Sequence, residues 1–176
     1  MLFLIFGSSA AGKTFVLEPL RRRVPDVVAH DFDEIGVPAA ADLEWRLRSN
    51  EEWLQTALEH QRAGRDMLLA GNTPIGELVD SPSAPLIEGI SACLLDCDDA
   101  TRTERLRVRG EAWIERTGAD LDDYLAWADL LRRHAADPRW NVHTIDTSRL
   151  SVDEVADELA RWIRAQRRPA DAAPGT

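Results

Sequence analysis

The chain begins with Met1-Leu-Phe-Leu-Ile-Phe-Gly7-Ser-Ser-Ala-Ala-Gly12-Lys13-Thr14, an apolar run followed by a loop of small residues. The loop matches the pattern GxxxxGK[ST], and it stands between a predicted buried strand and a predicted helix, the context that gives this pattern its meaning. Small residues let consecutive backbone N–H groups curl around a phosphate, and the helix that follows adds the positive end of its dipole. We therefore expect residues 7–14 to bind the phosphates of a nucleoside triphosphate.

Two side chains of this loop have specific expected roles. Lys13 can reach the β- and γ-phosphates, and the Thr14 hydroxyl can ligate Mg²⁺. The expected nucleotide-binding residues of the loop are Gly7, Ser8, Ser9, Ala10, Ala11, Gly12, Lys13 and Thr14. The alternative is a turn rich in glycine and serine that matches the pattern by chance.

Length and charge limit the possible partners of the chain. Its 176 residues suffice for one domain with a buried core, and its formal net charge is −10. Basic and acidic residues are interspersed, so the phosphates of a nucleic acid would be repelled, although a local basic groove would escape this argument. No apolar stretch reaches the ~20 residues that span a bilayer. We expect a small-molecule partner, no membrane, and a monomer or a homodimer.

Two cysteines, Cys93 and Cys97, lie four positions apart in one predicted strand. A strand rises about 3.3 Å per residue, so the two thiols would be ~13 Å apart and could not form a disulfide. We expect reduced thiols in a cytoplasmic protein. The N-terminal apolar run also lacks the basic flank and the cleavage site of a signal peptide.

Apolar runs alternate with helical patterns along the chain. The predicted strands are Leu2–Phe6, Val27–His30, Asp66–Ala70, Ile90–Asp96 and Val142–Ile145. Strands separated by helices form a parallel sheet that helices cover on both faces. We predict a single α/β domain over residues 1–165, followed by a disordered tail over residues 166–176, which show no periodicity.

Capping patterns and breakers predict where the helices begin and end. Ser49-x-x-Glu52 and Ser151-x-x-Glu154 are each expected to begin a helix, because serine and glutamate in this spacing satisfy backbone N–H groups reciprocally. Gly64 is expected to end the first of these helices, and Asp120 to cap another. Pro19 should kink the helix after the phosphate loop, since proline removes a hydrogen bond.

A pair of carboxylates follows the second predicted strand, in His30-Asp31-Phe32-Asp33-Glu34-Ile35. Ligands of open parallel sheets bind beyond the carboxyl ends of the strands, so we expect Asp31 and Asp33 in the same crevice as the phosphate loop. Phosphoryl transfer needs a metal ion to neutralise the phosphates and a group that orients the attacking hydroxyl. Two acids in this spacing can divide those tasks. In the alternative interpretation they only cap the following helix.

The phosphate loop and this acid pair together resemble the small P-loop kinases that phosphorylate hydroxyl groups of metabolites. These include shikimate- and gluconate-kinase-like enzymes, adenylylsulfate kinase, the chloramphenicol phosphotransferase group and zeta-toxin-like kinases, and the resemblance covers residues 1–165. It implies the P-loop NTPase fold, with a five-stranded parallel sheet sandwiched by helices, a small helical lid, and the cofactors ATP and Mg²⁺. It also implies that Asp33 approaches the acceptor hydroxyl as base, while Asp31 assists Thr14 with Mg²⁺.

The same resemblance assigns roles to residues near the carboxyl ends of the last two strands. Thr101-Arg-Thr-Glu-Arg105-Leu-Arg107-Val-Arg109-Gly110 matches a helix that leads into a mobile lid, here about residues 110–119. In such helices one arginine packs on the adenine and a second reaches the phosphates, a spacing that Arg105 and Arg109 fit on one helix face. Ile145-Asp-Thr-Ser148 resembles the segment that borders the adenine ring. A solvated basic helix is the alternative.

Residues that contact the acceptor are predicted at two places. Trp45, Arg46 and Arg48 form a surface that could stack on and pair with a planar or anionic acceptor, or that could be ordinary packing. Asn72 or Thr73, in the loop after the third strand, could also contact the acceptor.

The sequence thus predicts an ATP-dependent phosphotransferase that moves the γ-phosphate to a hydroxyl of a metabolite, a nucleoside-like compound or an antibiotic. Lys13, Asp33 and Arg109 are its expected catalytic residues. One alternative is an NTPase switch that acts on a protein partner, in which Leu94-Leu-Asp96 would be the metal-binding strand motif. A guanine-reading Asn-Lys-x-Asp is lacking, which argues against it. A polynucleotide 5′-hydroxyl kinase is a further alternative, which the acidic balance disfavours.

Overall fold

A computed structural model describes residues 1–38, 41–110 and 118–167 of the chain. Nearly all of the predicted lid, and the predicted tail beyond residue 167, lie outside these ranges. The strands are β1 (Leu2–Phe6), β2 (Val27–Asp31), β3 (Asp66–Gly71), β4 (Ile90–Asp96) and β5 (His143–Asp146). All neighbouring strands are parallel, in the order β2-β3-β1-β4-β5. Every predicted strand is confirmed, with ends that differ by one residue at most.

Helices cover both faces of this sheet. They are α1 (Lys13–Arg23), α2 (Leu43–Arg62), α3 (Ile75–Val79), α4 (Asp99–Arg109), α5 (Leu121–Ala136) and α6 (Val152–Gln166). Short 3₁₀ helices lie at Phe32–Ile35 and Ala84–Leu86. The predicted α/β fold with a five-stranded parallel sheet is confirmed. No helix in the described ranges is both long and apolar enough to cross a membrane.

The central strand β1 divides the core into two layers, because successive side chains of a strand point to opposite faces. Phe3 and Ile5 pack with α1 and α6, where the Trp162 ring meets Phe3 edge to face at 5.7 Å. Leu2, Leu4 and Phe6 pack on the other face with α2 and α5. All five residues of β1 are fully buried. A strand that is buried on both faces is therefore continuously apolar, as the sequence is here.

Several predicted helix boundaries are confirmed and one is wrong. Ser151 and Asp120 form capping boxes at the starts of α6 and α5. The predicted start at Ser49 is wrong, because α2 already begins at Leu43 and Ser49 is buried inside it. The Asp42 side chain caps α2 by accepting a hydrogen bond from the Trp45 N–H at 2.8 Å. The third residue after Asp42 is Trp45, whereas a capping box has a glutamate or glutamine at that position. The sequence pattern at the true start of α2 is therefore weaker than Ser49-x-x-Glu52.

The structure also locates three further features of the sequence. Gly64, with a φ of 68°, follows the end of α2. Cys93 and Cys97 are both buried and unpaired, with Cys97 one residue beyond β4. Pro19 lies inside α1, which continues to Arg23.

Candidate active site

The phosphate loop connects the carboxyl end of β1 to the first turn of α1, at the edge of the sheet where ligands of parallel folds bind. At Gly7 the loop passes so close to β4 that a Cβ atom would lie 2.3 Å from the Leu95 carbonyl oxygen. Gly12 and Ala10 have φ values of 98° and 65°, in the left-handed region. This conformation is strained for alanine, and strain of this kind is concentrated at ligand sites.

The Lys13 side chain curls back over the loop that precedes it. Its Nζ donates hydrogen bonds to the carbonyl oxygens of Gly7, at 2.6 Å, and Ser8, at 3.1 Å. Burial lowers the pKa of Lys13 to about 8, while the nearby carboxylates of Asp31 and Asp33 act in the opposite direction. The ammonium group therefore stands at the loop, and anionic ligands would stabilise its charge.

The Asp31 carboxylate caps a helix and also faces the phosphate loop, so it fits both of the roles that the sequence left open. Its Oδ1 accepts a hydrogen bond from the Asp33 N–H at 3.1 Å and caps the 3₁₀ helix Phe32–Ile35, with Glu34 completing a capping box. Its Oδ2 accepts a hydrogen bond from the Thr14 hydroxyl at 3.3 Å. Capping thus orients Asp31 toward Thr14. Hydroxyl and carboxylate oxygens are hard ligands of the kind that Mg²⁺ prefers, so these two residues fit a magnesium ion.

Asp33 lies two residues further, in the 3₁₀ helix Phe32–Ile35, with its side chain exposed to the cleft in front of the loop. Partial burial between the cleft walls raises the pKa of this carboxyl group, and the neighbouring Asp31 raises it further, against the effect of Lys13. A carboxylate whose pKa is raised takes up a proton more readily, which suits a general base.

The residues predicted for metal, acceptor and transfer line one cleft of about 320 Å³. They are Lys13, Thr14, Asp31, Asp33, Trp45, Arg46, Asn72 and Arg109. The sequence could place them together because the loop, β2 and β3 all end at the same edge of the sheet. Arg48 is exposed, pairs with Glu44 at 3.4 Å and does not line the cleft. Thr73 is fully buried, and its hydroxyl has no hydrogen-bond partner among the described residues.

A second cavity, of about 330 Å³ and mostly apolar, adjoins the cleft at Ala10, Gly12 and Arg109. Its walls include Phe15, Val108, Leu150, Val152, Arg105 and Thr147. An apolar cavity beside a phosphate loop is suited to the base of a nucleotide. Burial lowers the pKa of Arg109, which stands between the two cavities, and Tyr124 opposes this effect.

Arg105 is held in one position at the wall of this second cavity. Its Nη1 donates to the Ala10 carbonyl at 3.1 Å and to the Thr147 hydroxyl at 3.0 Å, and its Nη2 donates to the Thr147 carbonyl at 2.6 Å. Thr147 belongs to the segment that was expected to border the base. The guanidinium plane is therefore fixed between the phosphate loop and the loop after β5, and it can serve as a wall for a stacked ring.

A buried ion-pair network, which no local sequence pattern indicates, lies behind the phosphate loop. Arg102 is 0% exposed, and it donates to the Ser9 carbonyl at 2.6 Å and pairs with Asp96. Arg132 donates to the other oxygen of Asp96 at 2.6 Å. Both oxygens of Asp96 are thus engaged by arginines, whereas Asp31 is the carboxylate beside Thr14. The alternative in which Asp96 ligates the metal ion does not fit this arrangement.

Two further residues, Glu77 and Trp127, contact residues on the side of the cleft where the acceptor was expected, and the sequence did not indicate either contact. Arg46 forms a two-point ion pair with Glu77, with distances of 2.6 and 2.9 Å, and its guanidinium lies 5.1 Å from the centre of the Trp127 ring. The Trp127 indole N–H donates to Asn72 Oδ1 at 2.5 Å. Sequence periodicity places Trp127 near the buried face of α5, but no local pattern connects Glu77 with Arg46, which are 31 positions apart.

Taken together, the sheet order, the phosphate loop and the cleft define the fold of the P-loop kinases, and comparison with solved structures confirms the resemblance at this level. A sugar kinase from Janibacter sp. HTCC2649 has a TM-score of 0.68 and 14% identity, over 93% of this chain and 94% of that one. The tunicamycin resistance protein of Deinococcus radiodurans has a TM-score of 0.65 and 16% identity, over 92% and 94%. Shikimate kinase from Aquifex aeolicus has a TM-score of 0.53 and 14% identity, over 94% and 97%.

Identities of this size establish the fold and leave the activity to be argued from the site. No protein-family model matches the chain, and no curated protein sequence matches it.

Proposed function

We propose that this protein is an ATP- and Mg²⁺-dependent kinase that transfers the γ-phosphate of ATP to a hydroxyl group of a small molecule. The observation that carries the proposal is that Asp33 lines the same cleft as Lys13 and Thr14 of the phosphate loop. A carboxylate in that position can orient an acceptor hydroxyl against a phosphate held by the loop. Kinase structures with the same fold support this assignment.

In this proposal ATP occupies both cavities. Its base enters the apolar cavity against Phe15 and Val108, beside the fixed guanidinium of Arg105. Its phosphates reach the backbone N–H groups of the loop and the start of α1. Lys13, which donates to loop carbonyls in the structure, would donate to phosphate oxygens, because hydrogen bonds between charged partners are the stronger ones.

Thr14 and Asp31 would hold the magnesium ion, as their adjacent oxygen atoms fit such an ion. When bound, the ion neutralises charge on the phosphates. The protein keeps Asp31 in place through the capping bond from the Asp33 N–H, so that the carboxylate is oriented before any ligand binds.

The transfer step joins the acceptor oxygen to the γ-phosphorus as the bond from that phosphorus to the β–γ bridging oxygen breaks, and ADP leaves. Asp33 takes the proton of the acceptor hydroxyl, a role for which its raised pKa is suited. Lys13 and Arg109 stabilise the charge on the transferring group. Positioning and electrostatics supply most of the rate in reactions of this kind. A cytoplasmic location, where ATP is plentiful and thiols stay reduced, is part of the same proposal.

The direct test is to incubate the protein with ATP, Mg²⁺ and a panel of sugars, nucleosides and antibiotics, and to detect phosphate esters by mass spectrometry. We expect a monophosphate ester of at least one compound, and no ester with the Lys13→Ala variant. Arg109→Ala should lower the rate by ~10-fold or more, whereas Arg107→Ala, an exposed arginine of the same helix that lines neither cavity, should not. ATP hydrolysis stimulated only by a protein or by DNA would contradict the proposal.

A further inference from the structure

The one described cation on the acceptor side of the cleft, Arg46, is already neutralised. Its Nε and Nη2 donate to the two oxygens of Glu77, in the two-point geometry that is the strongest form of this ion pair. Each of the two side chains is only 23% exposed. Withdrawing the arginine toward a ligand would leave Glu77 partly buried without its counterion, which is costly.

The flat face of the Arg46 guanidinium is engaged as well. It lies over the Trp127 ring at 5.1 Å, an arrangement in which the ring attracts the cation. Trp127 is in turn held by its hydrogen bond to Asn72. Arg46 is therefore part of the wall, held from two sides, and it is poorly placed to bind an anion.

Among the described residues, the remaining charges on this side of the cleft are negative. Asp33 and Asp42 both line it, and Asp42 is fixed by its capping bond to the Trp45 N–H. Lys13 and Arg109 stand at the phosphate end, where a triphosphate would engage them. Of the described residues, those around the acceptor thus carry carboxylates, the Asn72 amide and the Trp45 ring. Carboxylates and amides hydrogen-bond hydroxyl and ammonium groups, and the carboxylates repel acceptors that carry a carboxylate or a phosphate.

We propose that the acceptor is an uncharged or cationic hydroxyl compound, and that the ion pair between Arg46 and Glu77 excludes acceptors that carry a carboxylate or a phosphate. This inference rests on the proposed function, because it assumes that the acceptor occupies the cleft beside Asp33. It narrows the range of acceptors, and it makes Glu77 a residue that determines specificity without touching the reacting atoms.

The test uses acceptors that share a ring and differ in one substituent, which sets their charge. Glucose, glucosamine and glucuronate form one set, and methyl shikimate and shikimate form another. Binding is measured by calorimetry on protein loaded with Mg²⁺ and a non-hydrolysable ATP analogue, and transfer is measured separately with ATP. We expect the neutral or amino member of a set to bind at least ~10-fold more tightly than its carboxylate, roughly the effect of one charged hydrogen bond.

Glu77→Gln releases the Arg46 guanidinium, so this variant should lose most of that ~10-fold preference by binding the carboxylate better. Glu44→Gln is the matched control. It also removes one negative charge and releases an arginine, Arg48, but Arg48 does not line the cleft. An unchanged Kd for the ATP analogue shows that a variant is folded. Arg46→Gln provides a second measurement, and it should keep the preference for uncharged acceptors.

Tighter binding of the carboxylate member by the wild-type protein would overturn the inference. So would a lack of binding by every compound, an unchanged preference in Glu77→Gln, or a loss of anion binding in Arg46→Gln. Binding in the expected order without any phosphate ester would reject the proposed kinase activity and keep the inference about acceptor charge. Transfer to glucuronate in preference to glucose would keep the kinase activity and reject the inference about acceptor charge.

Discussion

The Thr14 hydroxyl and Asp31 Oδ2 lie 3.3 Å apart, although the two residues are 17 positions apart in the chain and belong to different elements. Thr14 is in the first turn of α1, and Asp31 ends β2. The contact exists because α1 starts and β2 ends at the same edge of the sheet. It brings two oxygen atoms together beside the phosphate loop, where the proposed nucleotide would bring its magnesium ion.

The first prediction concerns this pair. Asp31→Asn should raise the Mg²⁺ concentration needed for half-maximal rate by ~10-fold or more, because an amide oxygen is a weaker ligand than a carboxylate. Asparagine is also a good helix cap, so the fold around it should be preserved. The measurement is the rate as a function of Mg²⁺ at fixed ATP. Glu34→Gln, in the same capping box but outside the cleft, is the control, and an equal Mg²⁺ requirement in both variants would contradict the assignment.

The pH dependence of nucleotide binding tests the position of Lys13. Its pKa in the free protein is lowered to about 8 by burial, and a bound triphosphate favours the ammonium form and raises this pKa. Above that pH the amine must take up a proton when nucleotide binds, so affinity falls as pH rises. We expect the Kd of an ATP analogue to increase roughly tenfold for the pH unit above the pKa.

Calorimetry at several pH values measures this slope, and Lys13→Arg is the control. Arginine keeps its charge throughout this range, so the variant should show a flat Kd. A wild-type Kd that stays constant across the same range would mean that Lys13 does not have the environment described above.

Asp96 should matter for stability and not for metal binding. It is held between Arg102 and Arg132, and Asp96→Asn leaves the fully buried Arg102 without its counterion. We expect a loss of about 3 kcal/mol or more in the free energy of unfolding, measured with urea. Asp99→Asn removes an exposed partner of Arg132 and should cost less than ~1 kcal/mol. A raised Mg²⁺ requirement in Asp96→Asn would instead restore the alternative in which this residue ligates the metal.

The backbone of the phosphate loop can be tested with two neighbouring alanines. Ala10 and Ala11 are both buried, but only Ala10 has a positive φ, of 65°. Glycine relieves the strain at residue 10, whereas at residue 11 it only loses a packed methyl group and adds chain entropy. Ala10→Gly should therefore be more stable than Ala11→Gly by about 1–2 kcal/mol in urea unfolding. Equal stabilities would show that Ala10 is not strained.

The three central strands are predictable because burial on both faces makes each of them a short, mostly apolar run. Leu2–Phe6 is the clearest case, and the neighbouring strands β3 and β4 follow the same rule, whereas the edge strands β2 and β5 contain fewer apolar residues and are only partly buried. The start of α2 was not predictable in the same way. Ser49-x-x-Glu52 is the stronger capping pattern in the sequence, yet it lies inside the helix, because packing of α2 against β3 overrides a local preference.

Some features of the candidate site were likewise predictable from the sequence, and others were not. The phosphate loop and the Asp31 and Asp33 pair follow from a motif and from the position of a strand end, which are local features. The ion pair between Arg46 and Glu77 and the ion pairs of Asp96 depend on side chains that meet only after folding. The sequence therefore left open whether Arg46 contacts an acceptor or belongs to ordinary packing, and it could not show that Glu77 already neutralises the Arg46 charge.

The most direct test of the central claim is a comparison of Asp33→Asn with the wild-type protein in two measurements. Asparagine keeps the size of the side chain but cannot accept the proton of an acceptor hydroxyl. We expect the rate of phosphate transfer to fall by about 10²–10⁴-fold, while the Kd of an ATP analogue with Mg²⁺, measured by calorimetry, stays within about threefold. A loss of nucleotide affinity as large as the loss of rate, or transfer that continues undiminished, would contradict the account.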